Sequence, residues 1–201
     1  DRYYSVCADY REGRVTGKNL KNKQKAIFLD RDGTINKYVG FLRNIDDFEL
    51  IDGVAEAIRK INESGYLAIV ATNQPVIVRG EVSFDELEEI HNKMETLLGK
   101  EGAYLNAIYY CPHHPHKGYE GERPELKIDC DCRKPKPGML LKAAEDFNID
   151  LSQSWMIGDG ENDIKAGINA GCKTVLIGNG DENYGQMMMV DSLLAFVKIS
   201  L

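Results

Sequence analysis

The chain has 201 residues, 43% apolar and 28% charged, with a formal net charge of −7. That suits one globular domain able to bury a full core without staples. The acidic balance argues against a nucleic-acid or anionic-membrane partner, and no apolar run nears the ~20 residues of a membrane span. In chain order, residues 1–24 are rich in Lys, Arg, Asn and Gly. They show no clear period and no apolar signal stretch. They read as a linker or arm leading from an upstream domain, and residues 25–201 as the folded domain. Ala26 to Leu29 is a short apolar run ending in Asp30, as a buried parallel strand would. Residues 53–64 put Val54, Ala57, Ile58 and Ile61 on one helical face. Tyr66 to Ala71 reads as a second buried strand. Ser83 with Glu86 is a capping-box pattern opening a helix to about Leu98. Ala107 to Tyr110 is a third strand, and Pro137-Gly138 opens a helix through Phe147. A strand at Trp155 to Ile157, a helix from Asn162 to Ala170, a strand over 174–177 and a helix over 191–199 complete the pattern.

This alternation predicts an α/β fold: a Rossmann-like, three-layer parallel sheet with helices on both faces. Ligands in such sheets sit beyond the carboxyl ends of the strands. The polar residues after each apolar run, Asp30, Thr72 and Asp159, are therefore the functional candidates.

Asp30-Arg31-Asp32-Gly33-Thr34 follows the first strand. Two carboxylates at i and i+2 can flank a hydrated Mg²⁺ that also takes phosphate oxygens. Asp30 can then attack phosphorus, while Asp32 gives a proton to the leaving alcohol and takes one from water. Thr72-Asn73 can donate hydrogen bonds to phosphoryl oxygens. Within Arg133-Lys134-Pro135, a fixed cation can stabilise charge on the transferring group. In Gly158-Asp159-Gly160-Glu161-Asn162-Asp163, Asp159 can complete the metal site and Asp163, one helical turn on, can support it. Singly, each element is as well read as a turn, a helix cap or a solvated surface feature. Their order is far more specific than any part.

Five cysteines, Cys7, Cys111, Cys130, Cys132 and Cys172, make an odd count and a poor disulfide framework. Cys111-Pro112-His113 followed by Cys130-Asp131-Cys132 offers three thiolates and an imidazole, a set suited to a closed tetrahedral zinc in a reducing, cytoplasmic compartment. His114 and His116 are alternative nitrogen ligands. Arg133-Lys134 follows Cys132 directly, so a loop ordered by zinc over 111–132 would aim both cations at the active site.

The set DRDGT, TN, Lys134 and GDxxxD resembles the haloacid dehalogenase-type phosphatases. Together with FELIDGV, TNQ, RG, YYCPHHP and CDCRKPKPGML it closely resembles the D-glycero-D-manno-heptose 1,7-bisphosphate phosphatases, and the histidinol-phosphate phosphatases share much of it. The resemblance implies a magnesium-dependent phosphomonoester hydrolase working through an aspartyl-phosphate. It implies a core without a large cap, a zinc loop insertion and a small phosphorylated substrate, with removal of the 7-phosphate of the heptose bisphosphate expected. Histidinol phosphate or another small sugar phosphate is the alternative substrate, and a zinc-ordered interaction domain without turnover is the non-enzymatic alternative. Asp30 is the implied nucleophile, Asp32 the general acid/base, and Thr72 and Lys134 the phosphoryl-binding groups. Magnesium falls to Asp30, Asp32 (through its backbone carbonyl) and Asp159. Zinc falls to Cys111, His113, Cys130 and Cys132, since Cys-x-His matches the family spacing. The substrate loop maps onto Tyr38, Val39, Gly40 and Phe41, with Asn73, Gln74, Pro75 and Arg133 as further substrate contacts. Pro75-Val76 stands where Ser-Gly is common, Gly160 where Lys is often found, and Tyr38 where an acidic residue is usual. The arm at 1–24 suggests fusion to another enzyme of the same pathway.

The remaining features have ordinary readings. His91, inside a charged helix, is expected to be exposed. Met187 to Met189 read as packing or a loop, Trp155 as core, and Cys7 and Cys172 as plain thiols. Glu86, Glu88, Glu89 and Glu95 read as a solvated helix face.

Overall fold

The computed structural model describes residues 4–6, 21–115 and 118–201. Seven strands form one sheet: β1 (Tyr4–Val6), β2 (Ala26–Leu29), β3 (Leu67–Asn73), β4 (Ala107–Cys111), β5 (Trp155–Gly158), β6 (Lys173–Ile177) and β7 (Met188–Val190). Their spatial order is β1-β4-β3-β2-β5-β6-β7. All neighbouring pairs are parallel except β1 with β4, which is antiparallel. The parallel sheet expected from the sequence is therefore present, with one antiparallel edge strand added from within the segment read as an arm. Residues 7–20 of that arm, with Cys7, lie outside the described residues, as does His116.

Five helices cover the sheet among the described residues: α1 (Val54–Glu63), α2 (Phe84–Lys100), α3 (Gly138–Phe147), α4 (Glu161–Ala170) and α5 (Leu193–Ser200). Strand alternation decides which side chains face which helices. Ile27 and Leu29 of β2 join Ala68 and Val70 of β3 in a cluster with Ile58, Met94 and Phe196 of α1, α2 and α5. Ala26 and Phe28 point the other way, into a cluster with Ile69, Met156 and Leu140 and Phe147 of α3. Gly167 of α4 lies against Met156 on that second face, where a Cβ would sit 2.7 Å from the Met156 side chain. The result is three layers, α1, α2 and α5 over one face and α3 and α4 over the other. β2 is buried at every position, so its continuous apolar run needs no polar alternation.

Helix starts follow the expected chemistry. Ser83 caps α2, accepting from the Glu86 N–H at 3.1 Å, while the Glu86 carboxylate accepts from the Ser83 N–H at 2.7 Å. Glu86, Glu88 and Glu89 are exposed, as expected, whereas Glu95 is half-buried. Trp155 is 8% exposed and packs edge-on against Phe196. Part of the methionine run forms β7, an edge strand whose Met188 packs on the core. His91 corrects the expectation: it is buried, not exposed. No described helix is long and apolar enough to cross a membrane.

Candidate active site

The carboxyl ends of β2, β3 and β5 converge on a cleft of about 280 Å³. Asp30 follows β2, Asn73 and Gln74 close β3, and Asp159 follows β5. Tyr38, Gly40 and Phe41 form its rim, and Gly160 to Asp163 at the start of α4 complete the lining with Lys134. Asp30, Asp32, Asp159, Glu161 and Asp163 line the cleft with Lys134. Asp32 pairs with Arg31 and Glu161 with Lys165, which leaves Asp30, Asp159 and Asp163 around the Lys134 ammonium.

Lys134 is buried and its Nζ donates to Asp30 Oδ1 at 2.9 Å and to Asp163 Oδ1 at 2.5 Å. Burial alone would lower its pKa, but the Asp163 and Asp30 charges outweigh it and raise the ammonium above its ordinary range. The Lys134 backbone is fixed as well: its N–H donates to Asn73 Oδ1 at 2.9 Å, and Asn73 Nδ2 donates to the Lys134 carbonyl at 3.0 Å. A strand-end amide thus clasps the loop residue that carries the cation. Asp163, expected to play a supporting part, does so, and also accepts from the Gly160 N–H at 3.1 Å to cap α4.

Asp30 is pushed up to about 7, first by burial and then by Asp163, with Lys134 opposing. Asp159 is pushed up to about 6 by burial and by Asp30. Oxygens of Asp30, Asp159 and Asp163 lie within 4.8 Å of one another. Hard oxygens held this close, with one ammonium among these three carboxylates, fit a small divalent cation such as Mg²⁺. A phosphate dianion entering such a cleft needs that extra positive charge. Gly33 makes the close approach: its φ is +81°, and a Cβ there would stand 2.0 Å from Asp159 Oδ2.

The Asp32 carboxylate is turned elsewhere. It accepts from Arg31 Nη2 at 2.9 Å, Asn36 Nδ2 at 3.0 Å and Gln74 Nε2 at 2.8 Å. Gln74 Nε2 also donates to the buried Thr72 hydroxyl at 3.0 Å. Sequence reasoning missed Arg31, Asn36 and His91 as parts of this network, because their partners are set by folding rather than by spacing.

The four expected soft ligands come together. Cys111 Sγ lies 3.5 Å from Cys130 Sγ and 3.6 Å from His113 Nδ1, Cys132 Sγ lies 3.4 Å from Cys130 Sγ, and His113 Nδ1 lies 3.3 Å from Cys132 Sγ. With Zn–S near 2.3 Å and Zn–N near 2.0 Å, a tetrahedron has edges of roughly 3.5–3.8 Å, so the donor set fits zinc closely. Hydrogen bonding from Cys111, with His113 nearby, pushes the Cys132 thiol down to about 6, while a hydrogen bond to Cys132 and burial push Cys111 up. Of the two cations that follow this loop, Lys134 reaches the cleft. Arg133 does not line it; its Nη1 donates to the His113 carbonyl at 3.4 Å. Thr72, Val39 and Pro75 are likewise not among the residues that line the cleft.

A family profile described as HAD-hydrolase-like matches residues 131–191. The chain is 47% identical over 163 residues to the D-glycero-beta-D-manno-heptose-1,7-bisphosphate 7-phosphatase of Haemophilus influenzae, covering 81% of this chain and 86% of that protein. It is 44% identical over 156 residues to the Escherichia coli K12 protein of the same name, covering 77% and 80%. The chain belongs to the heptose-bisphosphate phosphatase family of HAD-like hydrolases. A solved relative is the D,D-heptose 1,7-bisphosphate phosphatase of B. bronchiseptica, complexed with magnesium and phosphate. It superposes with a TM-score of 0.76 at 31% identity, covering 88% of this chain and 97% of that one. The protein is accordingly a phosphatase of the HAD-like fold, and the reading as an interaction domain without turnover is set aside.

Proposed function

We propose that this phosphatase depends on magnesium and removes the 7-phosphate of D-glycero-D-manno-heptose 1,7-bisphosphate through an aspartyl-phosphate on Asp30. The observation that carries the reading is the Lys134 ammonium bound to Asp30 in a cleft where the Asp159 and Asp163 carboxylates also gather. The relatives that share the heptose name support the substrate.

An Asp30 carboxylate oxygen attacks phosphorus and the bond from phosphorus to the sugar C7 oxygen breaks. Asp32 passes a proton to the departing alkoxide, then takes one from the water that hydrolyses the acyl phosphate. Lys134 donates to the phosphoryl oxygens and offsets their charge. Thr72 accepts from Gln74, which leaves its own O–H to donate to a phosphoryl oxygen. Asp30, Asp159 and the Asp32 carbonyl would hold Mg²⁺, which supplies charge neutralisation and orientation of the phosphoryl group. Cys111, His113, Cys130 and Cys132 would hold zinc, which orders the loop and supplies no chemistry. The sugar is assigned to Tyr38, Val39, Gly40 and Phe41 at the rim and to Asn73 and Gln74 in the lining, with Pro75 and Arg133 outside it. Tyr38 and Phe41 are 71% and 45% exposed, so the rim has apolar surface free to cover a substrate.

The test is phosphate release with Mg²⁺ from the heptose bisphosphate, histidinol phosphate and simple sugar monophosphates, with Asp30→Asn as control. Preference for the heptose, abolished by the substitution, is expected. Preference for histidinol phosphate would overturn the substrate.

A further inference from the structure

Arg31 is the largest fully buried side chain among the described residues, at 0% exposure. A buried guanidinium needs both an anion and partners for its remaining N–H groups. The anion is the adjacent Asp32, reached by Nε at 3.2 Å and by Nη2 at 2.9 Å and 3.2 Å. On its other side, Nη1 stands 3.2 Å from His91 Nε2. His91 comes from α2, well away in sequence, and is 5% exposed with its ring tilted against Tyr110.

Two groups that both carry cations in other settings rarely meet without a reason. The contact has one polarity only. A guanidinium has no acceptor, so Nη1 donates and Nε2 must hold a lone pair. The ring is then neutral, with its proton on Nδ1. Burial and the Arg31 charge both favour that form, lowering the His91 pKa well below its ordinary range. The imidazole thus closes a chain that runs from helix α2 through Arg31 to the carboxylate of Asp32.

We propose that His91 is a positioning residue: its Nε2 fixes the Arg31 guanidinium, and Arg31 in turn fixes the orientation of the Asp32 carboxylate for proton transfer. The proposal rests on the reading of Asp32 as general acid/base. Asn36 and Gln74 hold the carboxylate from its other sides, but neither can replace a charged partner. Without an acceptor at Nη1, a buried donor is left unpaired, and Arg31 gains by turning away. Asp32 would then lose the bidentate contact that sets its angle.

The experiment compares His91→Leu, which keeps bulk and removes the acceptor, with His91→Gln, whose Oε1 can restore it. Each is assayed with magnesium on a sugar phosphate, whose alkoxide must be protonated to leave, and on p-nitrophenyl phosphate, whose leaving group needs no proton. His91→Leu is expected to lower kcat on the sugar phosphate about tenfold with KM little changed. It should keep the initial burst of nitrophenol, and His91→Gln should recover most of the loss. An equal slowing of the phosphorylation burst on both substrates, or no loss on the sugar phosphate, would overturn the proposal. Asp32→Asn is the parallel control: if it lacks the same leaving-group dependence, the role of Asp32 fails first, and the His91 result is judged by the second readout. That readout is the nitrogen NMR spectrum of the imidazole in the unmutated protein. An unprotonated Nε2 that shifts on Arg31→Lys is expected. A protonated Nε2 at neutral pH would contradict the proposal outright, whatever the variants do.

Discussion

The carboxylates of Asp30, Asp159 and Asp163 and the soft donors of Cys111, His113, Cys130 and Cys132 each gather within 4.8 Å, yet they are held in different ways. The oxygen group hangs from strand ends β2 and β5 and the first turn of α4, elements already fixed by the core. Three of the four soft donors lie in loops beyond β4, and only Cys111 is on a strand. The two groups meet through the short run Cys132-Arg133-Lys134, which ends at Asp30. The sheet therefore places the acid chemistry, while the loop carries the cation that tempers it, clasped by Asn73 at the end of β3. This division explains why a structural metal could govern turnover without touching the substrate.

The comparison can be broken most sharply at the oxygen group. Asp30→Asn keeps shape and removes the nucleophile, so turnover should fall by at least about 10⁴-fold with zinc content unchanged by metal analysis. Lys134→Met should lower kcat by about 10²–10³-fold, since a buried phosphoryl-directed cation is lost. Cys132→Ser acts from the other side. It should release zinc, lower Tm and reduce kcat/KM by about 10–100-fold although every cleft residue remains. If activity survives zinc loss intact, the loop does not place Lys134.

Protons sharpen the same contrast. Asp30 and Asp159 are raised from 3.8 to about 7 and about 6. In the magnesium-free protein they bind protons that the unfolded chain has already released. Their contribution is fully present below about pH 4 and is lost as pH rises through about 6 to 7. Magnesium should therefore raise Tm more at about pH 7.5 than at about pH 5, as thermal scans would show. The smallest effect is at the rim. Phe41 stacks on Arg79 at 4.1 Å, and Arg79 on Tyr119 at 4.4 Å. Phe41→Ala should raise KM about fivefold and leave kcat nearly unchanged in steady-state assays.

How far the sequence reveals this arrangement depends on whether a feature is local. The buried runs of β2 and β3, the Ser83-Glu86 cap and the Cys-x-His and Cys-x-Cys spacings are local, and each was legible. The edge strand Tyr4–Val6 was not, because its pairing with β4 joins segments about a hundred residues apart. His91 was misread for the same reason: a charged helix suggests solvent, and only the fold brings Arg31 to its ring. Arg133 was expected in the cleft beside Lys134, but adjacent side chains diverge, and the Asn73 clasp selects Lys134 alone.

The most direct measurement is acid quenching during turnover with heptose 1,7-bisphosphate and magnesium, followed by peptide mass spectrometry. The account predicts one phosphoryl group on the peptide carrying Asp30, absent in Asp30→Asn, with the sugar retaining its C1 phosphate. A phosphorylated residue elsewhere, or loss of the C1 phosphate in place of the C7 phosphate, would contradict it.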